Sequence, residues 1–210
     1  MTIWDARADA YRESVAHREG PDLETIAQWA EGTTALDVAT GGGHVARRLR
    51  EAGFDVVSCD PSPGMRPDVI CRAEDLPFAD ESFDVVVTRI AAHHFEDVRQ
   101  AARELARVSR DLVLVEDTLY DNELVEQAQK LRDPSHVRMY TEAEWRGFLA
   151  EAGLEIEAVE LFEKRQSLAA WLARTGCEGG EAGRVRKLLG ERALDDTLLS
   201  TRILLKGRKR

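Results

Sequence analysis

Leu36-Asp37-Val38-Ala39-Thr40-Gly41-Gly42-Gly43-His44-Val45-Ala46 is the stretch of this sequence that decides the fold. An apolar run that contains an acidic residue leads into three glycines, and helical periodicity begins at Val45. The order predicts a strand, a glycine-rich turn and a helix. Glycine permits positive φ and close approach of a ligand to the backbone, and the first turn of the following helix leaves N–H groups free. We therefore expect a polar or anionic ligand group at this turn.

The spacing of the glycines argues against a dinucleotide as that ligand. The dinucleotide pattern G-x-G-x-x-G would need glycines at positions 39, 41 and 44, where the chain has Ala39, Gly41 and His44. Asp37, at the end of the predicted strand, instead suits a ligand with an ammonium group. An ordinary strand-to-helix turn without a ligand is the alternative interpretation.

Apolar runs alternate with helical segments from residue 35 onward. Strands are predicted at 35–39, 54–59, 68–71, 83–88 and 111–116, with a helix at 43–52. This alternation predicts an α/β fold with a doubly wound, mostly parallel sheet. Ligands bind such sheets outside the carboxyl ends of the strands, beside the first strand. The glycine turn should therefore share one pocket with Asp60, the 72–76 loop and the 88–94 segment.

Two further features point to the same pocket. Asp60 ends the second predicted strand about 20 residues after the glycine turn, an offset at which an acid can accept both hydroxyls of a ribose. Residues 5–31 predict two helices with a break near Gly20-Pro21. Tyr11, in the first of them, is expected to close over the ligand, and simple packing against the core is the alternative.

Composition limits the class of protein. With 210 residues, of which 43% are hydrophobic, the chain can form one domain with a full core. A net charge of −10 provides no basic surface for phosphate backbones, so a small molecule is favoured as partner over nucleic acid. The oligomeric state is open, with a homodimer as one option.

The cysteines and the apolar runs indicate a compartment. Cys59, Cys71 and Cys177 form no C-x-x-C pair and are odd in number, so we expect reduced thiols, no disulfide framework and no metal site. Residues 1–5 lack the layout of a signal peptide, and no run of ~18 apolar residues occurs. The sequence predicts a cytoplasmic protein without membrane insertion.

Several motifs together carry a family resemblance. The opening stretch, Asp60-Pro61-Ser62, Ala73-Glu74-Asp75-Leu76-Pro77-Phe78, Ser82-Phe83-Asp84-Val85-Val86-Val87 and His93-His94-Phe95 resemble the class I S-adenosylmethionine-dependent methyltransferases, in particular the ubiquinone/menaquinone C-methyltransferase-like group. The resemblance covers most of residues 8–162. It implies a Rossmann-like, seven-stranded sheet with a reversed last hairpin, here 155–162 and 200–206. It also implies S-adenosylmethionine as cofactor and S-adenosylhomocysteine as product.

The resemblance also implies which residues surround the cofactor. From the methionine end through the ribose and the adenine to the pocket floor, they are Asp37, Ala39, Thr40, Gly41, Gly43, Asp60, Pro61, Ala73, Glu74, Thr88 and Arg89. One departure concerns the adenine. Relatives often have an aspartate just before Ala73, which accepts from the adenine amino group, whereas Arg72 can only donate. Asp75 or a backbone carbonyl would have to substitute.

Candidates for the acceptor side follow the later strands. His136 can accept a phenol or enol proton near neutral pH, and Arg138 can hold an oxyanion or a carboxylate. His94 is a third candidate, because adjacent histidines point in different directions and at most one of His93 and His94 should face the pocket. The alternative for this run is a helix entry with a capping box from Thr141 to Glu144, which leaves His136 and Arg138 unexplained.

The whole chain is interpreted as one methyltransferase domain, residues 1–210, with a helical lid at 1–31 and a helical cap inserted at 163–199. Trp171, at helical spacing in the cap, is expected in the core rather than against substrate. We expect methyl transfer to carbon or oxygen of a small acceptor, with aromatic, quinol and polyketide-like compounds as candidates. The alternatives are a non-methylating enzyme or a catalytically silent partner subunit that retains the pocket.

Overall fold

The computed structural model describes residues 3–210 and contains one mixed sheet covered by helices on both faces. Five strands run parallel to one another: β1 (Thr34–Val38), β2 (Asp55–Asp60), β3 (Val69–Ile70), β4 (Phe83–Arg89) and β5 (Ser109–Thr118). Their order across the sheet is β3-β2-β1-β4-β5, so the carboxyl ends of β1 and β4 lie side by side. The order changes direction at β1, which is where such sheets bind ligands.

An antiparallel hairpin completes the sheet. Strand β8 (Thr197–Lys209) inserts between β5 and β6 (Leu154–Ser167) and runs antiparallel to both. The short β7 (Ala193–Leu194) pairs with β8 outside this order. The predicted seven-stranded α/β sheet with a reversed last hairpin is confirmed, with β7 as an additional strand. The hairpin is longer than the predicted 155–162 and 200–206.

Alternating side chains of the strands supply two cores. Val85 and Val87 pack against α3 (Pro21–Trp29) and α4 (His44–Glu51), whereas Val86 faces the other side of the sheet, beneath α5 (Val98–Val108) and α7 (Glu142–Glu151). Burial on both faces explains why these strands are nearly continuous apolar runs rather than alternating ones. Helix α5 ends at Val108 and β5 begins at Ser109 without an intervening loop.

The N-terminal residues form three short helices rather than the two expected: α1 (Ile3–Arg12), α2 (Val15–Arg18) and α3. Asp5 of α1 accepts hydrogen bonds from the hydroxyl of Ser62 (2.6 Å) and the N–H of Gly64 (2.9 Å). A Cβ at Gly64 would lie 2.7 Å from the Cα of Asp5, so this glycine permits the contact. The short turn after β2 thereby holds α1 over the carboxyl edge of the sheet. Residues 1 and 2 of the predicted lid lie outside the described residues.

A third, smaller core joins α6 (Glu123–Arg132) to α8 (Leu168–Ala173) and α9 (Gly179–Leu189). Trp171 is 5% exposed and belongs to it, together with Leu168 and Val185. Residues 163–167 extend β6 and residues 197–199 begin β8, so the helical part of the predicted 163–199 insertion is shorter than expected. Helices α6 and α8 lie beside the carboxyl end of β5.

Candidate functional site

The glycine turn has the backbone that its composition predicts. Between the end of β1 and the start of α4, positive φ occurs at Ala39 (56°), Gly41 (51°) and Gly43 (75°). A positive φ is uncommon for alanine and costs free energy, about 1–3 kcal/mol, so the surrounding structure must impose it. The N–H of Thr40 donates to the carbonyl of Cys59 (3.0 Å), which ties the turn to β2.

Asp37 lies beneath this turn and is 1% exposed. Its Oδ2 accepts from the hydroxyl of Thr40 (2.5 Å) and from the N–H of Ala46 (3.0 Å). Burial raises the pKa of Asp37 to about 6. Its Oδ1 forms no hydrogen bond with residues 3–210, so one oxygen is available to a ligand donor.

Asp60 ends β2 and is held by two backbone donors. Its Oδ2 accepts from Gly41 N–H (3.0 Å) and its Oδ1 from Ser62 N–H (2.9 Å). Each carboxylate oxygen can accept a second hydrogen bond, so two neighbouring acceptor positions are left, as a vicinal diol requires. Burial raises the pKa of Asp60.

Both acids line a cavity of about 410 Å³ at the carboxyl ends of β1, β2 and β4, here called the large cavity. This volume is within the range of small-molecule sites. Eleven of the predicted site residues line it: Tyr11, Asp37, Ala39, Thr40, Gly41, Asp60, Pro61, Ala73, Glu74, Arg89 and His94. Lining residues that the sequence did not single out include Trp4, His17 and Met65.

Three predicted cofactor residues do not line the large cavity. Gly43 lies at the amino end of α4, beyond the part of the turn that faces the cavity. Thr88 is fully buried in β4, within the sheet. Asp75 is exposed, and its backbone forms a bridge with Arg72. Asp75 is therefore poorly placed to replace the missing adenine acceptor.

Arg89 was expected to close the pocket floor, but its guanidinium is engaged elsewhere. It pairs with Asp22 and with Glu116 (2.7 Å), and it donates to the carbonyl of His17 (2.9 Å). Arg202 completes this buried cluster through Asp22 (2.9 Å). Burial alone would raise the pKa of Asp22, yet the two guanidinium groups lower it to about 2. Arg89 thus borders the cavity while its charge is neutralised inside the protein.

Arg72 likewise has acidic partners. Its Nη2 lies 2.9 Å from Glu96, and its Nε lies 3.5 Å from Glu74. Oε1 of Glu74 accepts from the N–H of Glu96 (2.8 Å). Arg72, which stands where relatives often have an aspartate, therefore points toward acidic side chains at the rim of the large cavity.

A second cavity of about 60 Å³, here called the histidine cavity, adjoins the first and shares Tyr11, His17, Ile90 and His94 with it. His93, His94 and His136 all line it, so both adjacent histidines face this cavity, contrary to the expectation that at most one would. The ring of His93 lies 4.2 Å from that of His94 and 5.4 Å from that of His136, centroid to centroid. Within residues 3–210 no three His, Cys, Asp or Glu side chains are arranged to hold a metal ion.

Each of these histidines has one ring nitrogen bound to an acceptor. Nδ1 of His93 lies 2.5 Å from Oδ1 of Asp117, at the carboxyl end of β5. A carboxylate can only accept, so Nδ1 carries the hydrogen and Nε2 keeps its lone pair. Asp117 is 1% exposed and also accepts from the backbone N–H groups of His93 (2.7 Å) and Thr118 (2.7 Å). The pair is rigidly held.

His136 and His94 are oriented in the same way. Nε2 of His136 lies 3.2 Å from Glu126, and Nδ1 of His94 lies 3.0 Å from the carbonyl of Ser135. Burial lowers the pKa of His136 to about 4 and that of His94 to about 3, and the neighbouring His93 adds to both effects. Both rings are therefore neutral near pH 7.

Arg138, expected beside His136, lies outside both cavities. Its side chain is exposed, pairs with Glu144 (2.6 Å) and lies over the ring of Tyr140. Glu144 also completes the capping box with Thr141, which confirms the helix entry considered above. Arg138 faces solvent, where Glu144 of α7 holds its side chain, and it is not part of the proposed acceptor site.

The sequence did not predict the pairing of His93 with Asp117. The two residues are 24 positions apart in the chain. The predicted sheet topology could have indicated this pair. Strands β4 and β5 are parallel neighbours, so an acid at the end of β5 lies beside the residues that follow β4.

Comparison with known proteins gives concordant results. Residues 36–113 match the family model described as a methyltransferase domain. The chain is 31% identical over 201 residues to the uncharacterized methyltransferase YcgJ of Bacillus subtilis, covering 83% of this chain and 79% of that protein. It is 29% identical over 163 residues to the demethylmenaquinone methyltransferase of Paenarthrobacter aurescens, covering 69% of this chain and 62% of that protein.

Solved structures agree with these relatives. The BH2331 protein of Bacillus halodurans superposes with a TM-score of 0.81 at 28% identity, over 90% of this chain and 99% of that one. None of the helices between residues 3 and 210 combines the length and the apolar character that a membrane crossing needs.

Proposed function

Because the chain belongs to the class I S-adenosylmethionine-dependent methyltransferases, we propose that it methylates a small-molecule acceptor at carbon or oxygen. The cofactor would occupy the large cavity and the acceptor would reach it from the histidine cavity. The observation that carries this proposal is the shared wall of the two cavities, at Tyr11, His17, Ile90 and His94. A methyl donor and its acceptor must lie in adjacent sites, and the four shared residues make these two cavities neighbours.

The residues of the large cavity fit the cofactor. When bound, S-adenosylmethionine supplies a methyl group on a positively charged sulfonium. The free Oδ1 of Asp37 suits the ammonium group, with Ala39, Thr40 and Gly41 alongside. Asp60, next to Pro61, offers two acceptor oxygens to the ribose, and Ala73 with Glu74 would flank the adenine.

The remaining predicted cofactor residues act indirectly in this proposal. Gly43 shapes the turn, Thr88 fills the sheet behind it and Arg89 holds the buried charge cluster. Since Asp75 is exposed, a backbone carbonyl or Glu74 would accept from the adenine amino group. Tyr11, which lines both cavities, would close one side of each.

We propose His93 as the general base where the acceptor must lose a proton. Its Nε2 lone pair is the one that can accept, and Asp117 would stabilise the imidazolium that forms. His94 and His136 have depressed pKa values and would position the acceptor rather than deprotonate it. His93 would take up the proton that the acceptor loses when it accepts the methyl group, and Asp117 would hold the protonated ring in place.

The proposal also covers the domain organisation, the cellular location and the kind of partner. Residues 1–210 form a single domain, 1–31 act as a lid and the helices within 163–199 act as a cap. Cys59, Cys71 and Cys177 are free thiols, in line with a reducing, cytoplasmic location. The net charge of −10 favours a small-molecule partner over nucleic acid. Light scattering on the same preparations would test for a homodimer.

A methyl-transfer assay tests the reaction. The protein is incubated with methyl-labelled S-adenosylmethionine and a panel of phenols, quinols and polyketide-like compounds, and S-adenosylhomocysteine is measured. With an accepted hydroxyl compound, His93→Gln should keep cofactor affinity and reduce turnover about 10²-fold to 10⁴-fold. His136→Gln should keep cofactor affinity and reduce turnover less.

Two results would overturn parts of this proposal. Unchanged turnover in His93→Gln would remove His93 as the base. Tight cofactor binding without transfer to any compound of the panel would favour a non-methylating enzyme or a silent partner subunit, and copurification with another protein would then distinguish these two.

A further inference from the structure

The histidine cavity contains more positive charge than its surroundings neutralise. Arg132, Arg174 and Arg202 all line it. Arg202 pairs with Asp22 and Glu116, 2.9 Å and 3.5 Å away. Arg132 and Arg174 form no ion pair with any carboxylate of residues 3–210. Two cations therefore border one small cavity without a paired carboxylate in the described part of the chain.

Arg132 is the more deeply buried of the two, at 8% exposure. Its Nε donates to the carbonyl of Trp171 (3.0 Å), and its guanidinium lies 4.1 Å from the centroid of the Trp171 ring. Its two terminal nitrogens have no acceptor among the described residues. Burial and the positive charge of Arg174 both lower the pKa of Arg132, to about 10, so it is still charged at neutral pH.

Arg174 has only neutral partners. It donates to Gln166 (2.9 Å), to Nδ1 of His17 (2.9 Å) and to the hydroxyl of Ser14 (3.3 Å). Burial, with Arg174 beside it, holds the pKa of His17 well below its usual range, so that ring is neutral and can accept. These bonds fix the direction of the guanidinium without cancelling its charge.

The nearby acids pair with other side chains, although Oδ2 of Asp133 has no hydrogen-bond partner among residues 3–210. Asp133 pairs with Arg7 (3.0 Å), Asp117 pairs with His93, and Glu126 pairs with His136 and Lys130. A buried charge without a partner is costly, by several kcal/mol. A cavity of about 60 Å³ has room for several water-sized groups, enough for a small anionic group.

We propose that the histidine cavity binds the acceptor through an anionic group, a carboxylate or a phosphate ester, held by Arg132 and Arg174. This rests on the proposed methyl transfer and names its substrate class. The planar guanidinium groups suit both kinds of anion. The anionic end would lie among α6 and α8, and the nucleophilic end would point toward the wall that the two cavities share.

Binding of small anions by the full-length protein tests this without any turnover. Benzoate and inorganic phosphate are titrated calorimetrically in a low-chloride buffer, with benzamide as the neutral match for benzoate. The variants are Arg132→Met and Arg174→Met, and the control is Arg146→Met, which removes an exposed arginine of α7 that pairs with Glu142. S-Adenosylhomocysteine is titrated into every preparation.

We expect wild type and Arg146→Met to bind at least one of the two anions with the same Kd. Both cavity variants should bind it at least tenfold more weakly, and benzamide should bind wild type at least tenfold more weakly than benzoate where benzoate is the preferred anion. Preference for benzoate would indicate a carboxylate, and preference for phosphate would indicate a phosphate ester. Since Arg132 pairs with no carboxylate among residues 3–210, Arg132→Met should have a Tm equal to or above that of wild type.

The proposal is wrong if neither anion binds wild type, or if both cavity variants bind as wild type does. A Tm for Arg132→Met several degrees below wild type, with anion binding kept, would show a purely structural arginine. Should Arg132→Met not fold, Arg174→Met decides the binding question. If wild type binds S-adenosylhomocysteine but neither anion, this inference alone is rejected. If wild type does not bind S-adenosylhomocysteine, the proposed function is rejected.

Discussion

The large cavity takes its two acids from the ends of β1 and β2, whereas the histidine cavity takes its polar groups from residues scattered between Tyr11 and Arg202. Sheet topology alone brings Asp37 and Asp60 together, because β1 and β2 are parallel neighbours. The histidine cavity exists only when α1, α6, α8 and the β6–β8 hairpin have all docked. One site therefore depends on local sequence and the other on the whole fold.

The two cavities also differ in charge. The large cavity offers buried carboxylates, which suit the cationic groups of S-adenosylmethionine, and the histidine cavity offers guanidinium groups and neutral imidazoles. A cationic donor and an anionic acceptor would thus be sorted into adjacent sites by electrostatic complementarity.

Substitution of Arg89 should have the largest effect, and the effect should be on the stability of the fold. Arg89 borders the large cavity, but its charge is used in buried ion pairs. Arg89→Met leaves Asp22 and Glu116 with fewer partners, and removal of one member of a buried ion pair costs about 3–5 kcal/mol. Urea unfolding should show this loss. Arg48→Met, which breaks a more exposed pair with Glu24, should cost under about 1 kcal/mol. Similar stabilities for both variants would contradict the structural role of Arg89.

Asp60 tests the large cavity itself. Asp60→Asn replaces the carboxylate, which would accept hydrogen bonds from both ribose hydroxyls, with an amide that has only one acceptor oxygen. The change should weaken S-adenosylmethionine binding about 100-fold, or roughly 3 kcal/mol. The matched control is Asp55→Asn, at the exposed start of the same strand. Calorimetry should give wild-type affinity for the control. If Asp60→Asn also binds normally, the ribose is not held at the end of β2.

The pKa of Asp37 predicts a pH dependence for the large cavity. Its value of about 6 means that the carboxyl gains a proton as pH falls below 6. A bound ammonium group favours the ionised form, so Kd should rise as pH falls, about fivefold between pH 6 and pH 5. Asp37→Asn should bind weakly with little change over this range. A wild-type Kd that is equal at pH 5 and pH 7.5 would show that Asp37 does not meet the charged ligand.

Arg138 gives the smallest expected effect and defines the edge of the histidine cavity. Its ion pair with Glu144 is exposed, so Arg138→Ala should lower stability by at most about 1 kcal/mol. Turnover on any acceptor found in the screen should stay within about twofold of wild type, because removal of a charge-assisted contact to the acceptor would cost more than that. A tenfold loss of turnover would return Arg138 to the acceptor site.

The same contrast explains what the sequence could predict. Strand β1, helix α4, the positions of Asp37 and Asp60 and the capping box at Thr141 all follow from local patterns. Hydrophobic runs, glycine conformations and capping residues act over a few positions, and parallel pairing then fixes which strand ends meet.

The acceptor side could not be predicted from such patterns. His93 meets Asp117, and Arg132 stacks on Trp171, through contacts between residues that are 24 and 39 positions apart. These contacts depend on how helices dock and on which rotamers result. The many exposed, charged residues of β6 do not form an apolar run, so the sequence did not indicate the full length of the final hairpin.

The central claim is that the large cavity binds S-adenosylmethionine through its two buried acids. The measurement that tests it most directly is calorimetric titration of cofactor-free protein with S-adenosylmethionine and with S-adenosylhomocysteine, for wild type and Asp60→Asn. We predict micromolar binding to wild type, about −8 kcal/mol, and about 100-fold weaker binding to the variant. Absence of heat with wild-type protein, or equal binding by both proteins, would contradict the claim.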